Sequence, residues 1–202
     1  MMACLPAGLA FLAMTKAAST AVEAALRPHC DVVLTGDPGL KHMRLRRFDR
    51  TVRPLLETPS RPIQTVAVFR EPIDWLGSWY RYRQRPAIAG KANSTADMSF
   101  EAFVADYLSD DPPQHARVGR PLEFVRSQTV DQGIDRLFRY DDLGALETFL
   151  GERIGAAISL PRLNVSPQAD LDLPEPVRTR LEAYFAPEYR IYSEIKTGVR
   201  AF

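Results

Sequence analysis

The stretch from Leu9 to Leu26, LAFLAMTKAASTAVEAAL, decides the fold. Leu9 to Met14 is continuously apolar, as a strand buried on both faces must be. Thr15-Lys16-Ala17-Ala18 interrupts it with a short polar turn, and Ser19 to Leu26 is alanine-rich and suited to a helix. Strand, loop and helix in that order form one βα unit. A second begins at Asp31 to Thr35 (DVVLT), a β-branched run ended by Gly36-Asp37-Pro38-Gly39, residues that suit a turn and a helix start. Ile63 to Phe69 (IQTVAVF) has the length and branching of a buried central strand, and Pro72 stands where a helix tolerates proline in its first turn, with the helix running to about Arg83.

The same alternation continues. Lys41 to Arg53 places Leu45, Phe48 and Val52 on one helical face and Arg46, Arg50 and Arg53 on another, with Pro54 expected to end or kink the helix. Gln84 to Asp97 has no periodicity and is expected to be a long surface loop, a lid or substrate-binding segment. Ser99 is an N-cap for a helix bearing Phe100, Phe103, Val104 and Tyr107 and ending near Leu108. Leu122 to Gln128 reads as another short helix, Arg136 to Tyr140 as a late strand, and Asp141-Asp142 as the cap of a helix lined by Leu143, Leu146, Phe149 and Leu150. Pro174 and Pro176 open a helix with Val177, Leu181, Tyr184 and Phe185, and Glu188 to Lys196 closes the chain's pattern. The expectation is one α/β domain over residues 1–202, with ligands beyond the carboxyl ends of a mostly parallel sheet.

The 202 residues carry 26 Lys plus Arg against 25 Asp plus Glu, so no whole-protein field attracts nucleic acid or a membrane, and an anion site has to be built locally. Ala3 to Met14 lacks a preceding basic residue and contains Pro6 and Gly8, unlike a signal-peptide core, and no segment has the ~20 unbroken apolar residues of a spanning helix. Two cysteines, Cys4 and Cys30, make at most one internal bridge, and a chain this long needs no disulfide framework. A soluble protein of the reducing cytoplasm is expected.

Three places can carry chemistry. Thr15 to Thr20 sets small residues, a lysine and two hydroxyls at a helix start, where backbone amides receive anions. It lacks the GxxxxGK[ST] pattern of the nucleotide-triphosphatase loop, and an ordinary turn capped by Ser19 is the competing reading. Arg70 ends the third strand and Ser78 follows eight positions later on the next helix, so both can converge on one phosphate. The competing readings are a salt bridge from Arg70 to Glu71 or Asp74, and Ser78 as a small packing residue. His42, after the second strand, titrates near neutrality and is the first candidate for a base, ahead of His29 and His115.

These segments, with RLFRYDDLGALETFLGERIG from Arg136 to Gly155 and Leu163-Asn164-Val165-Ser166, resemble the sulfotransferase superfamily that uses 3'-phosphoadenosine 5'-phosphosulfate (PAPS). The resemblance implies a three-layer, P-loop nucleotide-kinase-like fold and transfer of a sulfuryl group to an acceptor hydroxyl, leaving PAP, without a metal. By resemblance, Thr15, Lys16, Ala17, Ala18, Ser19 and Thr20 hold the 5'-phosphosulfate, Lys16 stabilises the leaving oxygen, and Arg70 and Ser78 anchor the 3'-phosphate. Ala17-Ala18 departs from the glycines common in that loop, and Lys196-Thr197-Gly198 only faintly echoes the late segment of the cytosolic enzymes. The acceptor, a small molecule or a glycan, is unspecified, as is the oligomeric state. The arginines after His42 suit an anionic acceptor or a solvated helix face, and Tyr80, Arg81, Tyr82, Arg83 and Arg85 suit sugar stacking or a helix end. A nucleotide kinase-like phosphotransferase and a PAP-binding protein without catalysis are the alternatives.

Overall fold

The computed structural model describes residues 1–127, 133–163 and 169–195. Its sheet has five strands in the order β3-β1-β2-β4-β5: β1 (Met2–Cys4), β2 (Leu9–Phe11), β3 (Val32–Val33), β4 (Gln64–Phe69) and β5 (Arg136–Arg139). β2, β4 and β5 are joined in parallel, while β1 is antiparallel to both β2 and β3. Four strands therefore point one way and β1 runs against them. The sheet is mixed, with its parallel ladders confined to the β2-β4-β5 half.

The reversed strand corrects the sequence reading, which took only the second half of Ala3 to Met14 as extended. The whole apolar segment is a hairpin, pairing Met2 with Phe11 and Cys4 with Leu9. The interruption by Pro6 and Gly8 is its turn, in which the Gly8 amide donates to Leu5 O at 3.0 Å and Gly8 adopts φ +60. A β-carbon there would stand 3.1 Å from Pro62 O. β1 brings Cys4 to Cys30, and the two form a disulfide.

Five consecutive residues of β4, Thr65 to Phe69, are buried, so both faces of the central strand are covered, as in a sheet sandwiched between helices. The α-helices among the described residues are α1 (Ser19–Leu26), α2 (Pro38–Lys41), α3 (Leu45–Thr51), α4 (Arg53–Leu56), α5 (Pro72–Arg83), α6 (Phe100–Tyr107), α7 (Pro121–Val125), α8 (Leu143–Ile154), α9 (Glu175–Tyr184) and α10 (Ala186–Glu194). One contiguous apolar core runs from Met1 through the strands to Ile191 and Ile195. Ser99 and Asp142 cap α6 and α8 by accepting from the amides of Ala102 and Ala145, as their sequence positions indicate.

Between His42 and Leu56 the expectation of one amphipathic helix fails. His42 leaves helical geometry at φ −100, ψ 43, and Arg44 is extended, so α3 starts afresh at Leu45. Pro54 sits in the first turn of α4 and opens that helix instead of ending its predecessor. Leu45 and Phe48 are buried as expected. Arg53 leaves the face of Arg46 and Arg50: its guanidinium donates to Asp49 at 2.8 Å, Glu57 at 2.9 Å and Ile63 O at 2.9 Å.

The long segment after α5 is tied down rather than loose. Thr95 is buried and donates to Tyr80 O at 2.8 Å, and the Tyr80 hydroxyl donates to Met98 O at 2.7 Å. α7 stops at Val125, short of the expected Gln128, which lies outside the described residues together with Asn164 to Ser166 and Lys196 to Gly198. Among the described residues, no helix is long and apolar enough to cross a membrane.

Candidate functional site

From β2 the chain moves toward one edge of the sheet to reach β3, and from β4 toward the other to reach β5. The loops after β2 and β4 therefore lead away in opposite directions from the carboxyl ends of two adjacent parallel strands. That switch point is where an open α/β sheet leaves a crevice for a ligand, and Thr15 to Thr20 and Arg70 both stand there.

The loop after β2 is fixed from behind. Its Ala13, Thr15 and Lys16 carbonyls accept from His42 Nδ1 at 2.7 Å, Trp75 Nε1 at 3.0 Å and Arg70 Nη1 at 3.0 Å. Two of its non-glycine residues are left-handed, Lys16 at φ 62 and Ala18 at φ 54. Such backbone costs on the order of 1 kcal/mol per residue and concentrates where a loop is held for a ligand. The competing reading of an ordinary turn capped by Ser19 does not hold: Ser19 is the first helical residue, the cap position is Ala18, no side chain caps α1, and its first turn contains no acid. The partial positive charge of this helix start is thus unanswered by any side chain of its own. Ala17 and Ser19 are buried, while Thr15, Ala18 and Thr20 are half-buried.

Lys16 extends toward α5, with its ammonium 3.2 Å from the centre of the Tyr82 ring and 4.6 Å from that of Trp79. Burial, reinforced by Arg85, Arg83 and Arg70, pushes its pKa down from 10.5 to about 7. The lysine is poised to gain charge when an anion arrives, a change to which the aromatic faces contribute favourably.

Arg70 is 8% exposed and fully oriented. It grips Asp74 with two donors, Nε at 2.6 Å and Nη2 at 3.0 Å, and lies 4.0 Å over the Tyr140 ring. Of its alternative partners, Asp74 is therefore the one it holds. Arg81 reaches the same carboxylate at 3.1 Å, so one carboxylate faces two guanidinium groups. Burial works against the Asp74 charge, but Arg70 and Arg81 outweigh it and hold the carboxyl below its usual range. Ser78 is 4% exposed and follows Asp74 by one helical turn, on the same face of α5. Glu71 caps the helix, accepting from the Asp74 amide, and its other oxygen accepts from the Tyr189 hydroxyl.

His42 joins this group from the β3 side. Its Nδ1 donates to Ala13 O, which leaves Nε2 as the acceptor in the neutral ring. Burial lowers its pKa, the Ala13 bond partly offsets that, and Lys41, the terminal ammonium and Lys16 lower it further. His115 is elsewhere, paired with Asp106 at 2.6 Å. His42 lines a cleft of about 440 Å³ with Gly39, Arg44, Arg46, Arg47 and Arg50.

Lys16, His42 and Arg70 are thus connected through the single loop Ala13 to Lys16, while Ser78 is buried one turn beyond Asp74 and, among the described residues, forms no hydrogen bond to them. Sequence reasoning missed Trp75, Trp79 and Tyr140 as parts of this arrangement. An Arg-to-Asp spacing of four was visible, but the aromatic contacts depend on how α5 and β5 pack over the loop. No known protein family matches the chain, and no curated protein is significantly similar to it.

Proposed function

We propose that the chain is a PAPS-dependent sulfotransferase with a P-loop nucleotide-kinase-like fold. The observation that carries the reading is the strained loop at the switch point, with Lys16 and Ala18 left-handed and the α1 terminus uncapped. It combines backbone donors and a cation of adjustable charge, which is what a phosphosulfate demands. The two guanidinium groups around Asp74 retain excess positive charge for a second phosphate.

In this reading the acceptor oxygen forms a bond to sulfur as the bond from sulfur to the phosphate oxygen breaks, and PAP departs with that oxygen's charge. Lys16 and the loop amides stabilise the leaving oxygen, while Arg70 and Ser78 hold the 3'-phosphate. The acceptor's proton passes to His42 Nε2, whose ring orientation is set by Ala13 O. Because the imidazole pKa is lowered, the base is ready at neutral pH and is lost as pH drops below the ordinary histidine range, while on the alkaline side turnover follows the charge of Lys16, whose pKa is lowered to about 7.

Thermal unfolding with PAP, adenosine 5'-phosphosulfate, and ATP with magnesium tests the donor site, since a ligand that binds the folded state raises its melting temperature. The sulfotransferase reading expects a rise with PAP that Arg70→Ala abolishes. A rise with ATP and magnesium but none with PAP removes it in favour of a kinase-like phosphotransferase.

A further inference from the structure

The cleft beside His42 has a composition the donor site does not explain. Arg44, Arg46, Arg47 and Arg50 converge on one cavity of about 440 Å³. Several arginines elsewhere are paired with acids: Arg53 binds Asp49 and Glu57, Arg70 and Arg81 bind Asp74, and Arg120 binds Glu188. Around the cleft they are not. Among the described residues Arg46 and Arg50 have no acidic partner, Arg44 approaches Glu123 only at 3.9 Å, and Arg47 donates to the Gly39 carbonyl at 3.2 Å. Asp49, the acid within α3, is turned away, with one oxygen on Arg53 and the other accepting from Ser127.

The helix is anchored without these arginines, since Leu45 and Phe48 supply its buried face. Four exposed guanidinium groups around one cleft repel one another, and none of them belongs to the buried face of the helix. Their planar forks match carboxylate and sulfate oxygens. The lining has no Phe, Tyr or Trp ring on which a nucleobase could stack, and the chain's net charge is only +1, which together disfavour a nucleic-acid strand. His42 lines the same cleft and, through Ala13, is bonded to the loop that carries Lys16.

We infer that this cleft is the acceptor subsite, and that the acceptor is an acidic oligosaccharide bearing carboxylate or sulfate groups beside the hydroxyl presented to His42. The inference rests on the sulfotransferase reading for the word acceptor, but the cleft's preference for such an anion is independent of it. Arg46 and Arg50 determine specificity by holding the anionic substituents, and His42 faces the reacting hydroxyl.

The test uses the full chain, titrated calorimetrically at fixed salt with a chondroitin sulfate tetrasaccharide, with neutral cellotetraose and with a single-stranded DNA oligonucleotide. The expected result is binding of the acidic tetrasaccharide alone, weakened roughly tenfold in Arg46→Ala/Arg50→Ala. Both side chains are exposed, so the variant is expected to fold, and an unchanged melting temperature and PAP response verify it. Equal binding of cellotetraose, stronger binding of the oligonucleotide, or tetrasaccharide binding indifferent to the double variant each overturns the inference. A PAP response without tetrasaccharide binding defeats the acceptor inference alone. Tetrasaccharide binding without a PAP response removes the sulfotransferase reading and leaves the cleft as an acidic-glycan site.

Discussion

Replacing Lys16 by methionine is expected to make the protein more stable and inactive at once. The ammonium is driven from 10.5 to about 7, chiefly by burial and then by Arg85, Arg83 and Arg70. At about 1.4 kcal/mol per pKa unit the whole shift sets a ceiling near ~5 kcal/mol on the cost of keeping the lysine charged in the folded state. Lys16 is only half-buried, so solvent screens part of that cost. Its contacts with Tyr82 and Trp79 return about 1–2 kcal/mol that methionine forfeits. The net gain for Lys16→Met at pH 6 is therefore about 1–2 kcal/mol, or roughly 3–6 °C in melting temperature for a domain of this size. The sign of the pH dependence follows from proton counts. Between pH 7 and 10.5 the folded wild type binds fewer protons at this site than the unfolded chain, so its stability rises across that window. The advantage of methionine is full below pH 7 and disappears above about 10.5. Scanning calorimetry of both proteins at pH 6 and pH 10 reads it directly. A variant less stable than wild type at pH 6, or a gap of equal size at both pH values, refutes the reasoning. Loss of turnover with PAP binding retained would accompany the stabilisation if the lysine acts on the leaving oxygen.

Asp74→Asn should cost about 1 kcal/mol at pH 7, held down by the residue's partial exposure. Because the Asp74 pKa is lowered, its contribution is present above the ordinary carboxylate pKa and lost as pH falls through the folded value. Urea unfolding should therefore separate the two proteins at pH 7 and bring them together in strong acid. Glu188 is 0% exposed and accepts from Arg120 at 2.9 and 2.7 Å. Glu188→Gln, which leaves the guanidinium without its counter-charge, should destabilise by about 3 kcal/mol in the same unfolding assay. Gly8→Ala forces a β-carbon into the φ +60 turn against Pro62 O and should lower stability by about 1 kcal/mol, measured as a melting temperature roughly 2–4 °C lower.

Much of the architecture was legible because local chemistry and tertiary packing agreed. β4 and β5 were marked by β-branched and aromatic runs, and the caps of α6 and α8 by Ser99 and Asp142. Where reading failed, the deciding interaction was distant in sequence. Met2 to Cys4 becomes a strand only by pairing with Leu9–Phe11 and Val32–Val33, and three apolar residues have no periodicity of their own. The periodicity from Lys41 to Arg53 was genuine, but the ring of His42 is drawn to Ala13 O and the guanidinium of Arg53 to Ile63 O. The chain accordingly breaks into α2, α3 and α4.

The candidate site divides in the same way. By itself the sequence determined which groups are available after each strand: a lysine with small and hydroxylated neighbours, an arginine at a strand end, a histidine followed by arginines. Those assignments need only the order of strands and loops, which hydrophobic pattern supplies. Tertiary structure alone decided what each group faces. Lys16 lies against Tyr82 and Trp79, Arg70 is shared between Asp74 and Lys16 O, and His42 opens into an arginine-lined cleft. Orientation, partner and protonation depend on atoms brought together from β2, α3, α5 and β5. Electrostatic energy falls with spatial distance and rises with desolvation, and sequence separation fixes neither.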